Sequence, residues 1–216
     1  VALARTLITN PELLLLDEPF SALDPYLKDQ LEQNLMDIIN ENYNGAILYI
    51  THNFEEAYKL CNRILVYEQG KIVQVGSKEE IVNEPANMTV AKLTGCKNFI
   101  RVQSISNEKK TLHILTNKGV RMISYKKNQH ASHKLLACIH SYHLQLTQEK
   151  SNKKNCFPCQ IKSITTGITF IIVQVNCQGH KLEVKLSVPD GMKLQDNLNV
   201  QWYLHIPPEQ IFLIPG

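Results

Sequence analysis

Two short apolar segments of the sequence end in side chains that can do chemistry on a phosphate group. The run of four leucines at 13–16 is followed by Asp17 and Glu18, and the segment 46–50 is followed closely by His52. A carboxylate is a ligand that Mg²⁺ prefers, a second carboxylate can accept a proton from an attacking water, and a histidine can hydrogen-bond a phosphate oxygen or hold that water. These residue types favour a site at which a metal and a general base act together.

The elements that position these side chains are predicted from the apolar runs themselves. Short unbroken apolar runs fit strands buried on both faces of a parallel sheet, and ligands of open α/β sheets bind outside the carboxyl ends of the strands. If the two strands are neighbours, Asp17, Glu18 and His52 converge on one crevice. Adjacent residues on an extended backbone point to different sides, which favours a division of labour between Asp17 and Glu18 over a shared proton.

Helical segments are predicted after each of these strands. Asp24 can cap a helix with Pro25 in its first turn, and Asn53 with Glu56 three residues on resembles a capping box for the next helix. Two further strands are predicted to join at a turn around Gly70. The apolar residues of the first helix are expected on one face: Leu27, Leu31, Leu35, and Ile38 or Ile39.

The chain changes character near residue 95, where helical periodicity gives way to short β-rich runs separated by turn residues. The predicted fold class is α/β for residues 1–95, followed by an all-β small barrel (OB-like) or sandwich for 96–216. The polar stretch 148–155 divides the second part into two candidate lobes. The predicted strands are 99–105, 111–115, 120–125, 135–140, 156–164, 168–177, 181–186 and 200–205.

Four segments together resemble the motifs of one enzyme family. Residues 13–20 (LLLLDEPF) look like a Walker B segment, Ser21 to Asp24 (SALD) like the D-loop that follows it, and 49–57 (YITHNFEEA) like a switch-histidine segment. Residues 1–7 look like the helix just after the family's signature motif. Their order and spacing are similar to those of ABC-transporter ATPase subunits, over roughly the first 85 residues, which is within the size range of one domain.

The resemblance implies ATP and Mg²⁺ as cofactors and a role for each motif residue. Asp17 would help to hold Mg²⁺ through water, and Glu18 would be the general base for ATP hydrolysis. His52 would contact the γ-phosphate. Ser21 and Asp24 would face the opposite subunit of an ATP-sandwich homodimer.

Other family motifs do not occur in the printed sequence. It has no G-x-x-x-x-G-K-[ST] phosphate loop and no Leu-Ser-Gly-Gly-Gln signature, and it begins at Val1. We therefore expect an N-terminally truncated chain that is inactive by itself. The assigned activity is that of the parent protein.

The C-terminal β region resembles that of importer subunits of the molybdate and sulfate type, which implies an OB-like/TOBE-like small barrel, and residues 93–98 resemble the junction into it. This implies an importer of an oxyanion such as molybdate, tungstate or sulfate, with a polyamine, iron or sugar importer as the alternative. The implied partners are transmembrane permease subunits, a second ATPase subunit and, indirectly, an extracytoplasmic substrate-binding protein. The implied location is peripheral, at the cytoplasmic face of the membrane. The β region either binds a small regulatory ligand or only stabilises the dimer.

Composition sets limits on other classes. The net charge is +3 and hydrophobic residues make up 44%, which indicates a globular chain, and no apolar run approaches the roughly 18 residues of a membrane span. Six unevenly spaced cysteines favour reduced thiols in a cytosolic compartment. The rival class is an oligonucleotide-binding β-barrel. Aromatic residues are only 7% and do not track the lysines as such a surface requires, so no nucleic-acid partner is expected.

Overall fold

The computed structural model describes residues 5–6, 9, 11–108, 111–126, 134–195 and 200–216, so most of the predicted helix at 1–7 lies outside the described residues. The chain divides into two compact units, Val1–Glu79 and Glu80–Gly216. The domain boundary expected after residue 95 stays a prediction.

The first unit contains a parallel strand–helix–strand arrangement. Strands β1 (Leu13–Asp17) and β2 (Ala46–Ile50) pair in parallel, with Asp17 opposite Ile50. Helix α1 (Pro25–Asn42) connects them, and helix α2 (Phe54–Leu60) follows β2. Strands β3 (Arg63–Glu68) and β4 (Lys71–Ser77) form an antiparallel hairpin. The predicted α/β class of this part is confirmed.

Strand β1 is buried on one face only, and the residues of β2 are half-buried or exposed, so the expectation of burial on both faces is wrong for the described part of the chain. Leu14 and Leu16 lie in a cluster with Leu35 of α1, whereas Leu13 and Leu15 are each 59% exposed. Side chains alternate across a strand, and only one face of the pair packs against α1. The apolar run thus predicted the strand correctly, but it predicted more burial than the strand has.

Helix α1 begins as predicted but presents a different face to the sheet. Asp24 is its N-cap, and its Oδ1 accepts hydrogen bonds from the backbone N–H groups of Tyr26 (3.1 Å) and Leu27 (3.0 Å). Leu27 and Leu31 are exposed, whereas Leu35 is buried and Ile39 packs against the same cluster, so the predicted apolar face is wrong for its first half only. The reason is that charged residues with partners on α2 occupy the inner side: Lys28 pairs with Glu56, and the buried Glu32 pairs with Lys59 at 3.5 Å.

The second unit begins with two short helices, α3 (Lys78–Asn83, which spans the boundary between the units) and α4 (Met88–Leu93), and continues into two antiparallel sheets of five strands each. The first sheet has the order β14-β8-β5-β6-β7, and the second has the order β12-β11-β10-β13-β9. The strands are β5 (Asn98–Glu108), β6 (Thr111–Thr116), β7 (Arg121–Ser124), β8 (Leu135–Ile139), β9 (Gln145–Thr147), β10 (Cys156–Thr166), β11 (Phe170–Cys177), β12 (His180–Ser187), β13 (Trp202–His205) and β14 (Phe212–Pro215), with helix α5 (Val188–Gln195) after β12.

One hydrophobic core lies between the two sheets. Ile114 and Ala137 of the first sheet and Val173 and Leu204 of the second are each at most 1% exposed and belong to one cluster. Strand β14 returns to the first sheet and β9 joins the second, so the strands that flank 148–155 are interleaved. The predicted β class of this part is confirmed, and α5 is an addition that the sequence pattern did not indicate.

Candidate active site

The carboxyl ends of β1 and β2 bring Glu18 and His52 together. The backbone N–H of Glu18 donates to the carbonyl oxygen of Ile50 (2.9 Å), which extends the parallel pairing by one residue. The Nδ1 atom of His52 lies 2.8 Å from Oε1 of Glu18. These two residues therefore form a hydrogen-bonded pair at the edge of the sheet where ligands of α/β folds bind.

The backbone at Glu18 adopts a conformation that residues other than glycine seldom take. Its φ is +43°, in the left-handed region, which costs on the order of 1 kcal/mol or more for such a residue. The following Pro19 disfavours the ordinary helical region at Glu18. Ser21 holds the turn, because its N–H (3.2 Å) and its Oγ (3.0 Å) both donate to the carbonyl oxygen of Glu18. This turn directs the Glu18 side chain toward the end of β2.

The hydrogen bond to Glu18 restricts what His52 can do with its other ring nitrogen. A carboxylate accepts, so Nδ1 of His52 carries the proton in this pairing, and Nε2 of a neutral ring is then an acceptor. His52 can donate from Nε2 to an anionic oxygen only as the imidazolium, or after the bond to Glu18 breaks and the tautomer changes. The side chains of His52 and Glu18 are 75% and 41% exposed, so a ligand can reach both.

Asp17 ends β1 and is exposed. Its carboxylate has no hydrogen bond or ion pair with any residue that the structure describes. Mg²⁺ is commonly held by one or two carboxylates together with water and substrate phosphates, so a single available carboxylate beside Glu18 fits such an ion. No group of three or more His, Cys, Asp and Glu side chains within the described ranges is arranged to hold a metal.

Ser21 and Asp24 lie in the turn between β1 and α1. Both side chains already make local hydrogen bonds, Ser21 to the carbonyl oxygen of Glu18 and Asp24 to the first turn of α1. Both residues are exposed. No contact joins Asp24 to the pair of Glu18 and His52 among the described residues, and the roles expected for Ser21 and Asp24 across a subunit interface stay predictions.

A buried glutamate that the motifs did not identify lies behind His52. Glu56 on α2 is 6% exposed; its Oε1 pairs with Nζ of Lys28 on α1. Its Oε2 accepts from Oγ1 of Thr51 (2.7 Å) and from the hydroxyl of Tyr49 (3.1 Å). The capping box predicted for this helix is therefore half wrong: Asn53 caps through the N–H of Glu55 (2.9 Å), but Glu56 turns inward.

Burial acts to raise the pKa of Glu56, yet the hydrogen bonds from Lys28, Thr51 and Tyr49 outweigh it and hold the pKa below its usual value. Glu56 is therefore a buried carboxylate, stabilised in its charged form. Thr51 Oγ1 also accepts from the backbone N–H of Asn53 (3.0 Å). Thr51, which precedes His52, is thus hydrogen-bonded to Glu56 directly, and Asn53, which follows His52, is connected to Glu56 through the hydroxyl of Thr51.

Comparison with known proteins identifies the relatives of this chain, although no family model matches it. An Fe(3+)-ion import ATP-binding protein of Haemophilus influenzae (strain 86-028NP) is 31% identical over 205 residues, which are 95% of this chain and 56% of that protein. A spermidine/putrescine import ATP-binding protein of Aster yellows witches'-broom phytoplasma is 45% identical over 101 residues, 47% of this chain and 24% of that protein.

The chain is homologous to the ATP-binding subunits of ABC importers. A glycine betaine transport ATP-binding protein of Bacillus subtilis is also similar, with 42% identity over 92 residues, 43% of this chain and 22% of that protein. The chain spans just over half the length of the iron-import subunit. Among solved structures, a cytoplasmic molybdate-binding protein with molybdate bound matches 56% of this chain and 98% of its own, with 16% identity and a TM-score of 0.46.

Proposed function

We propose that this chain belongs to an ATP-hydrolysing importer subunit and that its site acts on the γ-phosphate of ATP. The observation that carries the proposal is the pair of Glu18 and His52 beyond the carboxyl ends of two parallel strands, 2.8 Å apart, with Asp17 adjacent. Homology to import ATP-binding proteins supports the same activity.

In this proposal Glu18 is the general base. Its carboxylate accepts the proton of the water that attacks the γ-phosphate, and the strained turn at Glu18 holds it beside that water. His52 stabilises the developing charge on the phosphate by donating from Nε2, either as the imidazolium or after its bond to Glu18 breaks and the tautomer changes. Because Nδ1 of His52 faces Glu18, the pair orients both side chains toward one substrate.

Asp17 is proposed to bind Mg²⁺ through water, and the ion neutralises charge on the β- and γ-phosphates when it is bound. Ser21 and Asp24 are proposed to face the second subunit of a homodimer. The phosphate loop and signature that grip the triphosphate would come from residues outside the printed sequence.

The transported substrate is proposed to be iron or a polyamine. Of the three relatives named above, the one that matches most of this chain imports Fe(3+) ions, and the others transport spermidine and putrescine or glycine betaine. Iron or a polyamine is therefore favoured over the oxyanion expected from the sequence. The likeness to a molybdate-binding protein is too weak to argue for an oxyanion. Permease subunits and a substrate-binding protein are the proposed partners. No helix among the described residues is long and apolar enough to cross a membrane, and the proposed location is peripheral, against a permease on the cytoplasmic side.

A chimaera tests the proposal. The upstream part of the Haemophilus influenzae iron-import subunit is joined to this chain, and phosphate release from ATP is measured with and without Mg²⁺. The proposal predicts Mg²⁺-dependent hydrolysis that a His52→Ala change slows while ATP binding is kept. A folded chimaera that binds ATP but hydrolyses it equally well with or without His52 and Glu18 would contradict the proposed site.

A further inference from the structure

A hollow of about 490 Å³ lies in the second unit. Its floor is the face of strands β5, β6 and β7 that points away from the core, and one wall is the turn 153–157 that leads into β10. Volumes of roughly 300–1,000 Å³ are typical of small-molecule sites. The residues that matter to its chemistry are Ser104, Ser106, His113, Arg121, Lys153 and Phe157.

Strand register makes the floor polar. Ser106 lies opposite His113, and Leu115 lies opposite Arg121, so these side chains share the outer face of the sheet. The intervening residues Ile114 and Met122 are 1% and 2% exposed and belong to the core. Strict alternation across the strands thus separates a dry inner face from an outer face that carries hydroxyl, imidazole and guanidinium groups.

The wall is fixed in place by Asn155. This residue is buried, and it has a φ of +57°, a conformation that asparagine tolerates better than most residues. Its Nδ2 donates to the carbonyl oxygens of Ile123 (2.7 Å) and Ile206 (3.0 Å), and its Oδ1 accepts from the N–H of Ile123 (2.8 Å). Asn155 therefore binds the turn to the edge strand β7, and the hollow is formed before any ligand arrives, which lowers the entropic cost of binding.

The charge of the hollow is positive. Arg121, Lys153 and Lys154 line it against one carboxylate, Glu108, which already pairs with His113 at 3.4 Å. The side chain of Arg121 has no hydrogen bond or ion pair within the described part of the chain. A guanidinium presents donors in a fork that matches phosphate or carboxylate oxygens, and a concave surface with excess positive charge attracts anions.

We propose that this hollow binds a small anionic molecule, with a phosphate or carboxylate group at Arg121 and Lys153 and an apolar part against Phe157. The half-buried Phe157 ring and Leu115, which lies opposite Arg121 on the outer face, supply the apolar contact. The volume is several times that which a bare tetrahedral oxyanion would fill, so the ligand has a body as well as a charged group. An extended oligonucleotide would need successive aromatic platforms, and Phe157 is the single Phe, Tyr or Trp among the residues that line the hollow. The proposal does not depend on the ATPase function.

Phenyl phosphate is the probe, because it joins one phosphate to one apolar ring. Backbone amide NMR of the whole chain should show saturable shifts confined to 104–123 and 153–157, and inorganic phosphate or benzyl alcohol should bind more weakly than phenyl phosphate. Arg121→Gln should raise the dissociation constant about tenfold or more, as expected for loss of a charge-assisted hydrogen bond. Arg101→Gln is the matched control, since Arg101 is an exposed arginine on β5 that does not line the hollow; it should change the constant by less than about twofold.

Three results would overturn the proposal. The first is no saturation at about 10 mM phenyl phosphate, about ten times the dissociation constant of a weak site that binds at 1 mM. The second is equal weakening by Arg121→Gln and Arg101→Gln, which would indicate non-specific attraction. The third is tighter binding of a single-stranded oligonucleotide to the same residues, which would make the surface a nucleic-acid interface. Lys153→Gln serves as a second variant should Arg121→Gln alter the melting temperature.

Discussion

Replacing Glu56 with alanine tests whether the buried carboxylate holds the first unit together. The change removes the acceptor of three contacts at once: the ion pair with Lys28 and the hydrogen bonds from Thr51 and Tyr49. Lys28 is left with a charged group that is only 22% exposed. The predicted effect is a large loss of unfolding free energy for the residues around β2.

The magnitude follows from the burial of the two partners. Breaking a fully buried ion pair by removing one partner costs roughly 3–5 kcal/mol. The side chain of Lys28 reaches solvent in part, which reduces that cost, while the unpaired hydroxyls of Tyr49 and Thr51 add to it. We expect a loss of about 3 kcal/mol for Glu56→Ala and about half of that for Glu56→Gln, which keeps the shape and one acceptor.

The assay is urea unfolding followed by far-UV circular dichroism. The only tryptophan of the chain, Trp202, lies in the second unit, so tryptophan fluorescence does not report on Glu56 directly. Glu55→Ala is the matched control, because the neighbouring Glu55 is exposed and its side chain has no partner among the described residues; it should cost less than about 0.5 kcal/mol. Equal effects of the two alanine variants would refute the reasoning.

Acid adds a second readout. The pKa of Glu56 is lowered in the folded chain, so the folded state binds this proton less readily than the unfolded state. The resulting stabilisation is present above the unfolded-state pKa, near 4.3 for a model glutamate, and is lost as the pH falls through the lower folded-state pKa. The wild type should lose stability in that window more steeply than Glu56→Gln.

Three other perturbations have predicted outcomes. Burial lowers the pKa of His140, so stability should fall as the pH drops below about 6.5, the value for an unperturbed histidine. Nδ1 of His140 has no hydrogen-bond partner among the described residues, and Nε2 has one long contact, 3.5 Å from the carbonyl oxygen of Val82. His140→Phe should therefore nearly keep the melting temperature at pH 8 and weaken its fall toward pH 5; a steeper fall would contradict this. Asn155→Ala should lower the free energy of unfolding by about 2–4 kcal/mol, measured by chemical unfolding, because three hydrogen bonds are lost. A loss under about 0.5 kcal/mol would show that other contacts hold the turn in place. A polypeptide of residues 80–216 should unfold cooperatively and at a higher temperature than one of residues 97–216. The reason is that α4 contributes to a buried cluster with β8 and β14. Equal melting temperatures of the two polypeptides would refute this.

The strands and their chemistry-bearing ends were predictable because their signals are local. An unbroken apolar run predicts each strand, and the polar residues that follow it show which side chains lie at its end. These are Asp17 and Glu18 after the four leucines, and His52 after the second run. The cap by Asp24 was predictable for the same reason, since it needs only the two N–H groups that follow it. The turn at Glu18 was not predicted, because nothing in the residue types shows a positive φ there.

Features that depend on distant partners were missed. The role of Glu56 needs Lys28, which lies on another helix, and the sequence pattern offered a local capping role instead. Helix α5 contains Pro189 and Gly191, which disfavour helix in isolation. It forms because Gly191 lies against Ile171: a Cβ on this glycine would lie 2.5 Å from that side chain. Tertiary packing decides such elements.

The central claim, that Glu18 takes the proton in ATP hydrolysis, is tested most directly by Glu18→Gln in the chimaera with the upstream part of the iron-import subunit. ATP binding and phosphate release are measured side by side, with Glu55→Gln as the control. The amide keeps the shape of the carboxylate but cannot accept the proton, so the account predicts retained ATP binding, hydrolysis slower by about 10²–10⁴-fold, and a dimer that accumulates with ATP trapped. Near wild-type hydrolysis by Glu18→Gln would contradict the account.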